Sequence, residues 1–450
     1  MTVKLFGTDG IRGPANQYPM TADIALKFAI AAGVYYKQDG HKNRVVIGKD
    51  TRLSGYLLEP ALTAGFISVG VDVILVGPIP TPAISMLVKA LRADFGVMIT
   101  ASHNPYYDNG LKLFNKNGEK LLNECENKIQ TMILDDDINK YLVQSDQLGR
   151  ARRLEDAPGR YIEHVKSSVT KSSSLSGLRV VLDTANGAAY HLAPTILWEL
   201  GAEVVPIAAE PNGFNINAAC GATAPEVMAI KVKELRADIG IALDGDGDRL
   251  VVVTEQGKIV HGDIVIGMIA KGLLDRGRLI GGAIVVTEMS NTALCDYLDQ
   301  YGIKTIRTAV GDRNVREAML THGTNFGGEQ SGHIIMGDYA TTGDGIVAAL
   351  QMLLILVESG KKLSELVNIF EPYPQVLRSL KFQNNNPLEH PKVIEKLSQI
   401  QSKHSEQRVS IRASGTEKVI RIMVEGKEET WVHDTVEEIE KLLTDHIHDS

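Results

Sequence analysis

The sequence predicts an α/β protein with three tandem, related α/β domains whose sheets are mixed, followed by a smaller α+β domain. Three segments repeat one order of elements: an apolar strand, a helix, a second strand, a further loop and helix, and a third strand. Strands that alternate with helices imply right-handed crossovers and parallel neighbours. Their nearly continuous apolar residues indicate that both faces of each sheet are buried.

Each repeat begins with a strand, a helix and another strand. The first strands are predicted at 44–51, 179–184 and 283–288, the helices at 57–69, 188–200 and 292–301, and the second strands at 72–76, 203–207 and 304–308. The third strands begin at Ala93, Ala237 and Thr324, and the first two of these look like copies of each other. Equivalent strand ends in an α/β repeat can face one cleft, so we expect the polar loops that follow them to form one composite site.

The residues after the third repeat have a different pattern. Strands are predicted at 376–382 and 420–425, and an amphipathic helix at 431–443, which is typical of a small α+β module. We therefore expect four domains, with boundaries at 1–153, 154–256, 257–371 and 372–450.

Composition and charge exclude several classes of function. The chain has 450 residues and a formal net charge of −8, so it has no general attraction for nucleic acids or anionic membranes. Its three cysteines, Cys125, Cys220 and Cys295, are far apart and indicate neither a disulfide framework nor a metal site. The first residues lack the apolar region of a signal peptide. The longest apolar stretch, 346–357, is too short to span a bilayer. We expect a soluble, cytoplasmic protein in which 346–357 is a buried helix.

The strongest single motif is the acidic loop after the second copy of the third strand. If its backbone is extended, the alternate residues Asp244, Asp246 and Asp248 point the same way. Three clustered carboxylates repel one another unless a divalent cation lies among them, and hard oxygen ligands favour Mg²⁺. The spacing also resembles the start of an EF-hand calcium loop, with Glu255 at its twelfth position. However, Arg249 stands where that loop needs glycine, and predicted strands flank it. A polar turn is the other alternative.

The loop after the first copy carries a serine. Ser102 lies in Thr100–Pro105, directly after an apolar strand, and we expect it to be exposed at the end of that strand. A serine hydroxyl needs a base, a metal or prior modification to react. On an extended backbone the side chain of the adjacent His103 would diverge from it. Ser102 is therefore either a turn residue or, opposite a metal loop, a serine that carries a phosphoryl group.

Three further segments have residues suited to anions or sugars. Residues 412–417 join an arginine to two hydroxyls and a glycine, as in a phosphate cradle, and Arg421 is a second cation near them. Residues 327–333 combine backbone freedom with groups that hydrogen-bond sugar hydroxyls. Arg12 lies among glycines, and Lys112 follows the serine loop closely. Simple turns and solvated side chains are the alternatives in each case.

Taken together, the motifs resemble those of the α-D-phosphohexomutase superfamily. They are FGTDGIRG, TASHNP, DGDGDR, GGEQSGH and the Arg412–Glu417 segment RASGTE, and their order and spacing agree over essentially the whole chain. The resemblance implies three α/β domains and a C-terminal phosphate-binding domain around a deep cleft. It also implies a mutase that acts on phosphosugars.

The same resemblance implies roles for individual residues. Ser102 would be the phosphoserine, and its phosphate would bind one Mg²⁺ together with Asp244, Asp246 and Asp248. Arg12, His103, Lys112 and Arg249 would act at the transferring group, with Lys112 as the preferred acid or base. Glu329, Ser331 and His333 would hold the sugar, and the other phosphate would be bound by Arg412, Ser414, Gly415, Thr416 and Arg421.

Gln330 indicates the glucosamine branch of this superfamily. The expected reaction interconverts glucosamine 6-phosphate and glucosamine 1-phosphate through glucosamine 1,6-bisphosphate, which feeds amino-sugar nucleotide and cell-wall precursor synthesis. A glucose or mannose mutase, a metal-dependent sugar phosphatase and a non-catalytic calcium-binding protein are the alternatives. The partners expected are a small phosphosugar and, at most, a second copy of the chain, as a monomer or homodimer.

Overall fold

The computed structural model describes residues 4–7, 9–38, 40–121, 123–135, 137–170, 173–382, 386–403, 407–413 and 418–447. The chain divides into two compact units. One consists of Met1–Glu288 with Ile303–Asn368, and the other of Met289–Gly302 with Ile369–Ser450.

The first sheet of the larger unit has seven strands. They are β1 (Phe6–Gly7), β2 (Gly10–Pro14), β3 (Arg44–Lys49), β4 (Asp72–Pro78), β5 (Phe95–Ile99), β6 (Asp108–Asn115) and β7 (Ala151–Arg153), in the order β1-β2-β6-β5-β3-β4-β7. The helices of this region are α1 (Ala22–Tyr36), α2 (Gly55–Ser68), α3 (Thr81–Ala90) and α4 (Asn123–Ile133), and α5 (Ala157–Lys166) follows β7.

The other two sheets of this unit have four strands each. The second sheet contains β8 (Arg179–Asp183), β9 (Glu203–Ile207), β10 (Ile239–Leu243) and β11 (Leu250–Thr254), with helices α6 (Leu192–Glu199) and α7 (Glu226–Glu234). The third contains β12 (Ala283–Thr287), β13 (Lys304–Thr308), β14 (Phe326–Gly328) and β15 (Ile334–Met336). Its helices are α8 (Gly262–Asp275), α10 (Asp312–His322), α11 (Gly345–Ser359) and α12 (Leu363–Leu366), and α9 (Thr292–Asp299) belongs to the smaller unit.

Four strands of the first sheet have the same order as the four strands of each of the other two sheets, which confirms the predicted repeat. The orders β4-β3-β5-β6, β9-β8-β10-β11 and β13-β12-β14-β15 each place the first strand of the repeat between the second and the third. The first three strands are parallel in each case, and the fourth returns antiparallel beside the third. Strands β5, β10 and β14 are therefore equivalent, and so are the loops that follow them.

Burial explains why these apolar runs form strands. Every residue of β5, β10 and β12 is buried, as expected for central parallel strands with both faces covered. The predicted buried helix is α11. Its N-terminus is capped by Asp344, whose carboxylate accepts hydrogen bonds from the backbone N–H groups of Ile346 and Val347. None of the described helices is long and apolar enough to cross a membrane.

The smaller unit has a three-stranded antiparallel sheet. Its strands are β16 (Gln375–Lys381), β17 (Arg408–Ala413) and β18 (Val419–Glu425) in the order β16-β18-β17, and its helices are α9, α13 (Pro391–Lys403) and α14 (Glu429–Ile447). Its core joins one sheet face, through Ile420, Ile422 and Val424, to α13 and α14. The predicted α+β module is confirmed.

Candidate active site

The serine loop follows β5 and turns sharply at Ser102. This residue has a left-handed backbone, with φ of 52°, and is only 2% exposed. Its hydroxyl donates a hydrogen bond to Oδ2 of Asp244 at 2.7 Å. The expectation of an exposed serine was wrong, because the hydroxyl points inward at the acidic loop rather than outward from the strand end.

The same backbone turn changes the relation between Ser102 and its neighbour. Nδ1 of His103 lies 3.5 Å from the Ser102 hydroxyl oxygen. The expectation that these side chains diverge was wrong, since it assumed an extended backbone. Burial lowers the pKa of His103 to about 4, and the charges of Arg249 and Arg12 add to this effect. The imidazole is therefore neutral at neutral pH.

The acidic loop links β10 to β11 and gathers its three aspartates. One oxygen from each of Asp244, Asp246 and Asp248 lies within 4.8 Å of the others, and all three residues are buried. The predicted convergence of the three carboxylates is confirmed, and a turn rather than an extended backbone produces it. Gly247 N–H donates to the Asp244 carbonyl at 3.0 Å, and Gly247 has φ of 73°, so a tight turn brings the side chains together.

The aspartate side chain at the start of this turn also shapes it. Oδ1 of Asp244 accepts hydrogen bonds from the backbone N–H groups of Asp248 and Arg249, at 3.1 and 3.2 Å. Antiparallel strands rather than helices flank the loop, so it is not an EF-hand.

The electrostatics of this cluster fit a divalent cation. Oδ1 of Asp246 and Oδ1 of Asp248 are buried without a hydrogen-bond partner among the described residues. Burial raises the pKa of Asp244 well above its ordinary value, and the nearby Asp248 and Asp246 carboxylates raise it further. Buried acceptors that repel one another are stabilised by a positive charge placed among them.

Lys112 supplies part of that positive charge. It lies on β6, is 2% exposed, and its Nζ is 2.8 Å from Oδ2 of Asp246, 3.1 Å from Asp9 and 3.7 Å from Asp248. Burial alone would lower the pKa of Lys112, but these three carboxylates raise it above its ordinary value. Burial would likewise raise the pKa of Asp246, yet Lys112 and a hydrogen bond from Thr81 hold it below its ordinary value.

Sequence reasoning missed three charged residues that adjoin the site. Asp9 forms ion pairs with Arg12 and with Lys120, and Lys120 also pairs with Asp312 at the start of α10. Asp9 lies inside the FGTDGIRG motif, and that motif is the signal that could have found it. Lys120 and Asp312 are 192 positions apart, and no local pattern joins them.

The loop after β14 packs directly on the end of the acidic loop. His333 and Arg249 form a backbone bridge, and Leu250 N–H donates to the Gly332 carbonyl at 3.0 Å. Gly343 N–H donates to Nε2 of His333 at 3.2 Å. Nε2 lies 3.8 Å from Asp248. The loops after β5, β10 and β14 thus meet at one place, as predicted.

Two arginines at the site retain unused donors. Nε of Arg12 and Nε of Arg249 are buried and have no partner among the described residues. In the loop after β14, Glu329 is half-buried and accepts a hydrogen bond from Gly311 N–H at 3.1 Å, whereas Ser331 is exposed. Arginine and glutamate at these positions can bind a phosphate and a sugar hydroxyl respectively.

The predicted phosphate cradle belongs to the smaller unit. Arg412 and Arg421 are cross-strand neighbours on β17 and β18, and they alternate with the core residues Ile411, Ile420 and Ile422, so they lie on the sheet face away from α14. Ser414, Gly415 and Thr416 lie outside the described residues.

Comparison with known domain families matches four regions of the chain. Residues 3–140, 159–257 and 261–373 match α/β/α domains I, II and III of phosphoglucomutase/phosphomannomutase, and residues 381–442 match its C-terminal domain. The chain belongs to the phosphoglucomutase/phosphomannomutase family. The repeated sheets are the three α/β/α domains of this family.

Individual relatives show which members of the family this chain resembles. A phosphoglucosamine mutase from Granulibacter bethesdensis is 54% identical over 97% of this chain and 95% of that protein. A phosphoglucomutase/phosphomannomutase family protein from Burkholderia thailandensis superposes with a TM-score of 0.83 at 24% identity, covering 98% of this chain and 97% of that one. The N-acetylphosphoglucosamine mutase of Aspergillus fumigatus, in complex with GlcNAc-6P and magnesium, has a TM-score of 0.66 at 17% identity, with 99% and 96% covered. These two structures share the fold of this family.

Proposed function

We propose that this protein is an isomerase that interconverts glucosamine 6-phosphate and glucosamine 1-phosphate through a phosphoserine at position 102. The relative that is 54% identical over nearly the whole chain is a phosphoglucosamine mutase. The observation that carries the chemistry is the Ser102 hydroxyl, 2.7 Å from a carboxylate of the buried three-aspartate cluster. The product serves the synthesis of amino-sugar nucleotides for the cell wall.

The reaction consists of two phosphoryl transfers. In the first, the bond between phosphorus and the Ser102 oxygen breaks as a bond forms to the oxygen of the free 1- or 6-hydroxyl of the sugar. Lys112 gives a proton to the Ser102 oxygen and then takes up the proton that the sugar hydroxyl loses. Glucosamine 1,6-bisphosphate results. In the second, the other phosphoryl group returns to Ser102 and leaves the isomeric monophosphate.

Residues around Ser102 neutralise the charge of the transferring phosphoryl group and supply the proton. Arg249 and Arg12 neutralise charge on the equatorial oxygens of the transferring group, which is the main requirement of phosphoryl transfer. Lys112 holds a proton at Nζ because Asp246 and Asp9 face it, so it begins as the acid. The neutral His103 lies within 3.5 Å of the serine oxygen and orients it.

The aspartate cluster is suited to Mg²⁺. Asp244, Asp246 and Asp248 would hold it together with an oxygen of the Ser102 phosphate, and the bound ion would supply positive charge where the transferring group becomes more negative. The magnesium in the A. fumigatus enzyme supports this assignment.

Separate residues are proposed for the sugar and for the phosphate that is not transferred. Glu329, Ser331 and His333 bind the sugar, and the phosphate that is not transferred binds Arg412, Ser414, Gly415, Thr416 and Arg421. The functional regions are 1–153, 154–256, 257–371 and 372–450. We further propose that the protein acts in the cytoplasm as a monomer or homodimer.

The test compares wild type with Ser102→Ala. Wild type should convert glucosamine 1-phosphate with a higher kcat/KM than glucose 1-phosphate or mannose 1-phosphate, and intact mass should show one phosphate. Ser102→Ala should keep its melting temperature, lose that phosphate and fall below about 0.1% of wild-type turnover. Near-normal turnover of the variant would refute the phosphoserine. Release of inorganic phosphate in place of isomerisation would instead indicate a sugar phosphatase.

A further inference from the structure

The side chain of Arg52 binds the backbone of the serine loop. It follows β3 and is 1% exposed, and its Nε pairs with Oδ2 of Asp50 at 2.8 Å. Its Nη2 donates to the Ser102 carbonyl at 2.9 Å and to the Asn104 carbonyl at 2.8 Å. Its Nη1 donates to the carbonyls of Asp108, at 3.1 Å, and Pro105. One buried guanidinium therefore binds three backbone oxygens of the loop that carries Ser102 and one of the first residue of β6.

Asp50 connects Arg52 to the backbone N–H of Ser102 through Thr100. Its Oδ2 also accepts a hydrogen bond from the Thr100 hydroxyl at 2.6 Å. The Thr100 oxygen in turn accepts a hydrogen bond from the Ser102 backbone N–H at 2.9 Å. The chain of contacts that begins at Arg52 thus reaches both peptide groups of Ser102.

Asn217 holds the same loop from the second domain. Its Nδ2 donates to the Ser102 carbonyl at 2.9 Å and to the Asn104 carbonyl at 3.1 Å. These are the two oxygens that Nη2 of Arg52 also binds. The backbone N–H of Asn217 donates a hydrogen bond to the Ala185 carbonyl at 2.9 Å. The loop that carries the Asn217 side-chain amide is therefore itself held in place.

The acidic loop packs against this contact. A Cβ on Gly245 would lie 2.6 Å from the Ser102 carbonyl oxygen and 2.7 Å from Nδ2 of Asn217. No side chain larger than hydrogen fits there without moving one loop. The spacing between the serine loop and the acidic loop is therefore set at the Ser102 carbonyl.

We propose that Arg52 and Asn217 are positioning residues that clamp the Ser102 carbonyl from two sides and so aim its side-chain oxygen at the aspartate cluster. The inference rests on the proposed function. A serine with φ of 52° is held in a backbone region that it enters only under outside constraint. Arg52 is buried and does not reach solvent, so it acts through the loop rather than on the substrate. Loss of the clamp should slow phosphoryl transfer and leave substrate binding intact.

Asn217→Ala is the main test, and Asn212→Ala is its matched control. Asn212 is exposed in the same loop region and accepts a hydrogen bond from Phe214 N–H at 2.9 Å, and among the described residues no hydrogen bond joins it to the serine loop. We expect Asn217→Ala to lower kcat about 10- to 100-fold at an unchanged KM, since small displacements of reacting groups have effects of this size. Phosphorylation of Ser102 by glucosamine 1,6-bisphosphate, followed by intact mass, should slow by the same factor.

The possible outcomes distinguish failure of the clamp proposal from loss of folding and from failure of the proposed function. Equal kcat values for Asn217→Ala and Asn212→Ala would overturn the clamp, and so would a loss of kcat that only follows the loss of folded protein. Arg52→Lys is the second variant and should behave like Asn217→Ala. If it does not fold, the comparison at Asn217 decides alone. A wild-type protein without mutase turnover would overturn the proposed function instead.

Discussion

The serine loop and the acidic loop follow equivalent strands, yet they are shaped by different means. Each contains one residue with a left-handed backbone, Ser102 at φ of 52° and Gly247 at φ of 73°. Glycine adopts this conformation without steric cost, whereas serine does not. The side chain of Asp244 bonds within the acidic loop itself, and distant backbone N–H groups also hold that loop, whereas the serine loop is bound by the distant side chains of Arg52 and Asn217. Local side-chain contacts therefore contribute more to the acidic loop than to the serine loop.

The largest expected effect is that of a variant that removes the charge of Asp244 and keeps the shape of the acidic loop. In Asp244→Asn, the remaining Oδ1 can still accept the N–H groups of Asp248 and Arg249, but the charge beside Ser102 is lost. We expect kcat to fall about 100- to 1,000-fold, the range for loss of one electrostatic group. Near-UV circular dichroism should remain that of the wild type.

Asn212→Ala serves as the reference for that variant as well. If Asp244→Asn retained more than a tenth of wild-type turnover, the charge beside Ser102 would lower the barrier by less than about 1.4 kcal/mol, and the proposed role of this carboxylate would be wrong.

A smaller effect should come from the support of the serine loop. Thr100 is fully buried, and in Thr100→Val the side chain keeps its shape but loses its hydrogen bonds to Asp50 and to Ser102 N–H. A buried donor left without its partner costs about 1–3 kcal/mol. We expect that loss in urea unfolding, together with a kcat about tenfold lower, because the serine is aimed less well.

Thr184→Val is the matched control for this change. Thr184 is also buried at the end of a strand, and its hydroxyl donates to the Ala208 carbonyl at 2.8 Å. It should lose similar stability and keep its kcat. Equal losses of kcat in both variants would show that Thr100 contributes only to folding.

The difference between the loops also explains what the sequence could predict. The alternating Asp and Gly residues of 244–248 are adjacent in sequence, so their convergence was predictable even though the backbone is a turn rather than extended. The apolar runs predicted β5 and β10 for the same local reason, and the repeated order of elements predicted the equivalent strand β14. The burial of Ser102 was not predictable, since it depends on Arg52 and on Asn217, 115 positions away. Likewise, the pairing of Lys120 with Asp312 exists only once the domains are folded together.

The smallest expected effect concerns Gly247, the glycine at which the acidic loop turns. In Gly247→Ala, a Cβ at φ of 73° would lie 3.2 Å from Pro80 and 3.6 Å from Ala189, which is tight but not excluded. The strain of a left-handed alanine is about 1–2 kcal/mol. Gly302→Ala provides the control, because Gly302 has φ of 70° and no atom within 4 Å of the added Cβ. Both variants should lose about the same free energy of unfolding, but only Gly247→Ala should lower kcat, by a few fold. If the two were equally active, the turn at Gly247 would tolerate the displacement, and the acidic loop would be less rigid than the serine loop.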